Sequence, residues 1–144
     1  MGTLVNGTPV GGAAGASAAT ASAEDATAYT RGTTSYAATS TPCETSIEVG
    51  ASGVLVILYS GSCYEAAAGD SILMSVALSG SNTLAAADAH CAYAASPGNG
   101  LGVNVARALR LAGLVAGPTT VTLKWRTLGA TWTIQQQSLV VIAP

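Results

Sequence analysis

Between residues 113 and 141 the chain reads GLVAGPTTVTLKWRTLGATWTIQQQSLVV, and its apolar residues recur at every second position. Val121, Leu123 and Trp125 fall on one side of the alternation, and Thr122, Lys124 and Arg126 on the other. A period of two fits a strand with one buried and one wet face, and no helix face can satisfy it. Gly117-Pro118 opens the first strand, Leu128-Gly129-Ala130 supplies a short glycine-containing turn, and Trp132 and Ile134 begin a return strand. The spacing therefore predicts a β-hairpin with Trp125 and Trp132 facing each other across it. After Gln135-Gln136-Gln137 the apolar positions move to Leu139 and Val141, a shift in parity that predicts a β-bulge within the polar run. Nothing in this stretch carries chemistry; its expected role is to seal the edge of a β-domain.

The 144 residues suffice for one domain with a core of its own. Only 8% of them are charged, against about 25% in an ordinary soluble domain. The net charge is -2 and the pI about 5.0, so no basic patch exists to hold nucleic acid. Mean hydropathy is +0.45, yet no apolar run approaches the roughly 20 residues of a membrane span. A chain so poor in ions must cover itself with Ser, Thr, Ala, Asn and Gln, or bury surface against other chains. A mixture is expected, a Thr/Ser-rich β-domain that hides part of its surface in an oligomer or larger assembly. The three cysteines, Cys43, Cys63 and Cys91, are an odd number, which argues against a complete disulfide framework. One bridge, Cys43–Cys63 for preference, stands beside the reading of all three as small apolar residues packed in a sheet. No basic region precedes an apolar stretch at the N-terminus, so a secretory signal is not expected there.

Residues 11–28 are built almost wholly of Gly, Ala, Ser and Thr and cannot bury enough surface to fold alone. Residues 1–28 are read as an N-terminal arm, flexible or ordered on a partner, with Leu4, Val5 and Val10 as anchors. Residues 29–144 are read as a β-sandwich domain. Within it, residues 35–39 form a candidate edge strand, and 45–49 alternate with Ile47 and Val49 inward. Gly50-Ala51-Ser52-Gly53 is a tight turn. The run VLVILYS at 54–60 fits a central strand buried on both faces. Residues 61–70 read as a loop, and 72–79 alternate with Ile72, Met74, Val76 and Leu78 inward. The segment LAAADAHCAYAA at 84–95 is compatible with helix or strand, and the rhythm of its neighbours favours strand. Residues 103–111 alternate with Val103, Val105, Arg107, Leu109 and Leu111 on one face. About eight short strands between turns predict an all-β, antiparallel two-sheet sandwich of jelly-roll type.

No catalytic, cofactor or metal site emerges. His90, the sole histidine, sits beside Cys91, and neighbours on a strand point to opposite faces, so the two do not share a metal. The spacings to Cys43 and Cys63 match no zinc pattern. No nucleophile-elbow motif accompanies His90. Glu44, Glu48, Glu65 and Asp70 stand near loops, where paired carboxylates serve glycoside hydrolysis or a calcium site, but scattered solvated charges are the commoner arrangement. The glycine-rich stretches lack the strand–helix context and the lysine of a phosphate loop. Trp125, Trp132 and Arg126 remain as candidates for a subunit interface, weighed against core packing of the indoles.

The strings ILMSVALSGSNTLAAADA from Ile72 and LAGLVAGPTTVTLKWRTLGATWTIQQQSLVVIAP from Leu111 resemble a β-domain of virion proteins from tailed phages of actinobacteria. The resemblance rests on a strand ending in Ser79-Gly80, an Ala-rich segment with Asp88, and a Gly-Leu-x-x-Gly step at Gly113, Leu114 and Gly117. The Trp125-Arg126 pair, the turn from Gly129 to Trp132 and the closing Leu-Val-Val-Ile-x-Pro complete it. It covers about residues 30–144. It implies a homotrimeric jelly-roll-like domain without enzymatic activity on the outside of the capsid. There it would be a decoration protein that cements the shell through contact with the major capsid protein. A second reading of the same resemblance is a receptor- or carbohydrate-binding knob of a tail or head fibre, for which the loops 61–70 and 96–100 offer Tyr64 as their one aromatic residue. Members of the family often carry an arginine near the 135–138 segment; Gln and Ser stand here, so an inter-subunit ion pair from that place would be missing.

Overall fold

The alternating patterns resolve into strands whose inward residues meet across the middle of a sandwich. In the computed structural model, which describes residues 18–65, 69–98 and 100–144, nine strands form two antiparallel sheets. The first sheet holds β1 (Ala19–Asp25), β2 (Tyr29–Arg31), β9 (Trp132–Ala143), β4 (Leu55–Tyr64) and β7 (Gly102–Leu111). Its order is β1-β9-β4-β7, with β2 continuing the edge beside β9. The second holds β3 (Glu44–Val49), β8 (Gly117–Thr127), β5 (Ser71–Gly80) and β6 (Ala92–Ala95), in the order β3-β8-β5-β6. Successive strands mostly change sheets, as in a jelly roll, and the expected all-β sandwich is the fold observed.

The predicted hairpin is not formed. β8 pairs with β3 and β5, whereas β9 pairs with β1, β2 and β4. The link at 128–131 is an arch that carries the chain from one sheet to the other. It is held by Leu128 N–H on the Ser71 carbonyl at 3.1 Å and Ala130 N–H on the Asp70 carboxylate at 2.7 Å. Alternation had placed Trp125 and Trp132 on inward faces correctly; it carried no information about which strands pair. Both indoles are 0% exposed and enter the core from opposite sheets.

The bulge is where the sequence placed it. The β4–β9 register runs Ser60↔Ser138 and then Ser62↔Gln135, and Gln136 takes φ 53°. The extra residue turns Gln137 inward, where it is 2% exposed and accepts the Trp125 indole N–H at 2.8 Å. Beneath that indole lies Gly61, where a Cβ would stand 2.7 Å from the six-membered ring. Gly61 therefore belongs to β4, which runs on to Tyr64 through what had been read as a loop.

Four other readings change. Residues 35–39 make a single bridge, Ala37 to Trp125, instead of an edge strand. The 84–95 strand becomes one bridge at Leu84, a 3-10 turn at Asp88–His90 and the short β6. Residues 19–25, placed in the arm, are β1, paired along their whole length with β9; Leu4, Val5 and Val10 lie outside the described residues. Burial of β4 and β5 is exchanged. β5 is buried on both faces from Ser71 to Leu78, because residues 84–91 lie over its outer side and Ser75 Oγ bonds Ala87. β4 is central but buried on one face, and Leu58 on the other is 41% exposed. Residues 103–111 alternate as expected, with Val105 deepest.

Gly61→Ala forces its methyl into the Trp125 ring, and overpacking of this kind costs about 1–3 kcal/mol. The expected result is a lower denaturant midpoint with an unchanged slope; an unaltered midpoint would show that the indole is not seated as described.

Candidate interaction surface

The expected site residues separate into a buried set and a surface set. Trp125 and Trp132 have no exposed surface to offer a neighbour; Trp132 Nε1 also bonds Asp70 at 3.2 Å. Arg126 points away from the core on β8 and grips Asp88 with two hydrogen bonds, 3.0 and 2.5 Å, while Tyr36 OH donates to the same carboxylate at 2.9 Å. Its guanidinium lies 5.5 Å from the Tyr36 ring centre. These contacts pin the Asp88–His90 turn over the outer side of β5. Tyr59 OH bonds the His90 carbonyl, and Arg107 donates to the Cys91 carbonyl at 2.5 Å, so the first sheet holds the turn from beneath. The arginine's partner was legible as the lone acid of the Ala-rich segment, but their contact depends on the fold.

The carboxylates do not form a catalytic pair. Glu44 and Glu48 project outward from β3, with Glu44 taking a bond from Thr122. Burial works against the charge on Asp70, but N–H groups of Ala130 and Ser71, the Trp132 indole and Gly129 outweigh it and hold the carboxyl below its ordinary value. Asp70 is thus fully engaged in tying the 128–131 arch. Glu65 is 4% exposed; burial and the nearby charge of Asp70 push its carboxyl up, against a hydrogen bond from Ser96. His90 and Cys91 gather no metal-binding cluster among the described residues. All three cysteines are free thiols, so the Cys43–Cys63 bridge is not formed. Burial, then the charges of Asp25 and Glu24, push Cys43 up to about 11, and burial pushes Cys63 up to about 12. Both are packing groups at neutral pH.

What remains is a contrast between the two outer faces. Over the second sheet, Glu44, Glu48, Lys124 and Arg126 stand among Ser and Thr, as a solvated sheet face should. Over the first sheet, the outward positions form cross-strand rows: Ser22, Val140, Leu58 and Ala108 in one, Thr20, Ile142, Val56 and Arg110 in the next. A shallow dish of about 430 Å³ lies between Leu58, Ala106, Ala108 and Val140. Sequence reading missed this surface because it took VLVILYS as doubly buried; its outward Val56 and Leu58 were the available signal.

No protein-family model and no curated protein sequence matches the chain. Among solved structures, the chain is similar to the crystal structure of the infectious bursal disease virus VP2 subviral particle. The TM-score is 0.59 at 15% identity, covering 88% of this chain and 33% of that one. The structure of the infectious bursal disease virus Gx strain gives 0.58 at 14% identity, over 88% of this chain and 32% of that one. A structure of T=1 particles derived from the same virus gives 0.56 at 16% identity, over 87% and 31%. The chain thus spans about a third of the length of these structures, and what it shares with them is the fold, an antiparallel two-sheet β-sandwich.

Asp88 yields a pH test. Hydrogen bonds from Arg126, then Tyr36, hold its carboxyl below the ordinary value. A depressed acid contributes stability above the unfolded value near pH 4, and that stability is lost as pH falls through the folded value. Because the Asp88 side chain is 59% exposed, the effect is below about 1 kcal/mol. Asp88→Asn is expected to lower the unfolding midpoint at neutral pH, with the gap to the unaltered chain closing in acid. A gap that persists unchanged in acid would contradict it.

Proposed function

We propose that the protein is a structural component of a virus particle, acting as a homotrimeric decoration domain. It would seat on the outside of a capsid built from a major capsid protein and reinforce the junctions between its subunits. The likeness of its fold, over 88% of the chain, to structures of virus particles carries this reading. The phage character rests on the sequence resemblance at 72–89 and 111–144. The charge-poor composition and the apolar outer sheet face support a chain designed to be covered by others. Apolar burial at roughly 25 cal/mol per Å² makes even a modest contact effective when it is repeated across a shell. A cementing role needs no catalytic group.

The test is co-sedimentation of the purified chain with capsids of the encoding phage prepared without it. A second form should lack residues 2–17 and begin before β1, since removing 1–28 would strip an edge strand from the sheet. The full chain is expected to pellet with capsids to a saturating ratio and to raise the temperature at which they release DNA. If it leaves capsids unbound and adheres to host cells or their polysaccharides instead, the fibre-knob reading replaces this one.

A further inference from the structure

The outer face of the first sheet breaks the rule that the outward side of a sandwich is polar. Its middle is β4, flanked on both sides by strands, and the outward residues there run Val56, Leu58, Ser60, Ser62 and Tyr64, apolar at the Val56 end. Val140 and Ile142 of β9 lie beside them, and Ala106 and Ala108 of β7 complete the patch. Among the described residues no segment bonds across this face, whereas residues 84–91 close over β5 in the other sheet, where Leu84 bridges Leu78 and Ser75 Oγ bonds Ala87. Strands about 4.8 Å apart and rising about 3.3 Å per residue give the four-stranded face an extent of roughly 600 Å². The whole face, with the apolar residues at one end and Ser60, Ser62, Asn104 and Ser138 beyond them, is comparable to the roughly 800 Å² each partner contributes to an ordinary stable interface.

Two charges stand on this face, and they are opposite. Glu24 is on β1, at one edge, in the row with Ser138, Ser60 and Ala106. Arg110 is on β7, at the other edge, in the row with Val56 and Ile142. The one ion pair among the described residues is Arg126–Asp88, so neither edge charge is neutralised within the chain. Opposite charges on opposite edges suit heterologous packing, in which the β7 edge of one copy meets the β1 edge of the next. No aromatic side chain, the usual platform for a sugar, stands in these rows: Tyr59 points into the core, and Tyr64, exposed on the same face, lies at the far end of β4, three rows from Leu58.

We infer that this face is where a second copy of the chain packs. Leu58 and Val140 lie at the centre of the contact, and Arg110 of one copy pairs with Glu24 of the next. The inference rests on the self-associating reading above and names its surface. Head-to-tail packing closes into a ring when the rotation between copies divides a full turn, and a third of a turn gives a ring of three in which every edge charge is paired. The small residues Ala106, Ala108, Ser60 and Ser138 let the sheets approach closely, and the dish between them receives side chains of the neighbour.

Sedimentation velocity over a range of concentrations, on the full chain, is the experiment. The unaltered chain is expected to run as a trimer. Leu58→Asp and Ala108→Glu are expected to run as monomers with the same far-ultraviolet spectrum and unfolding midpoint. Glu24→Arg and Arg110→Glu should each weaken association at least about tenfold, and the double reversal should restore it. Because the reversals are surface changes, they report on the contact even if Leu58→Asp fails to fold. A monomeric unaltered chain overturns the inference, as does an oligomer indifferent to Leu58→Asp, Ala108→Glu and the charge reversals. A chain that associates only once residues 2–17 are removed also overturns it, since its own N-terminal segment would then be the occupant. A monomeric chain that still binds capsids would sink this inference and leave the proposed function standing. A trimer built on this face that ignores capsids would do the reverse.

Discussion

The hydrogen bond from the Trp125 indole to Gln137 organises the core. An indole buried to 0% exposure needs an acceptor, and an apolar sandwich interior offers few. The chain supplies one by inserting a residue into β9, so that Gln136 adopts φ 53° and Gln137 turns inward. Gln137 is steadied in turn by Thr39 at 3.4 Å, which brings the 33–41 segment against the same point. Room for the ring comes from Gly61 on the facing strand. One donor thus explains a bulge, a buried amide, a glycine in a central strand and the path of a loop. Because Trp125 belongs to one sheet and Gln137 to the other, the bond also fixes how the two sheets sit across the core.

A comparable economy governs the charges. Asp70 ties the 128–131 arch, Asp25 takes bonds from Thr27 and Tyr29 where β1 gives way to β2, and Arg107 holds the Cys91 carbonyl. Arg31 bonds the Ala38 carbonyl, and Arg126 with Asp88 fastens the 3-10 turn. In a chain with twelve charged residues, five Lys or Arg and seven Asp or Glu, spending most of them on internal fastenings and on one sheet leaves the other sheet nearly bare. The apolar outer face is therefore a consequence of where the ions are used, as well as of Val56 and Leu58 themselves.

Much of this is legible in the amino-acid sequence. Alternation at 103–111 and 120–127 named the inward residues, the parity change named the bulge, and the turn at 50–53 appears with Gly53 at φ 61°. The partners of the strands were not legible. A period of two says which way a side chain points and is silent on whether the next strand lies beside it or across the core. The glycine-containing link at 128–131 has the length of a hairpin turn, and the Asp70 contacts that make it an arch lie far away in sequence. For the same reason β5 looked half wet, since its outer cover, residues 84–91, was itself read as a strand. The Ala-rich composition at 19–25 reads as unable to fold alone, as an arm flexible or ordered on a partner, yet an edge strand needs only backbone pairing and small inward residues, which Ala21 and Ala23 provide.

The exchange between β4 and β5 links fold to function. Two strands of similar apolar content receive opposite treatment: one is roofed by the chain's own 84–91 segment, pinned by Arg126, Tyr59 and Ser75, while the other is left open. Covering β5 consumes the segment and the arginine that would otherwise be available elsewhere. Leaving β4 open exposes aliphatic surface at the centre of a sheet, which an isolated domain gains nothing by doing, since burial at roughly 25 cal/mol per Å² would favour any cover the chain could supply. Such surface is consistent with selection if another molecule supplies the cover.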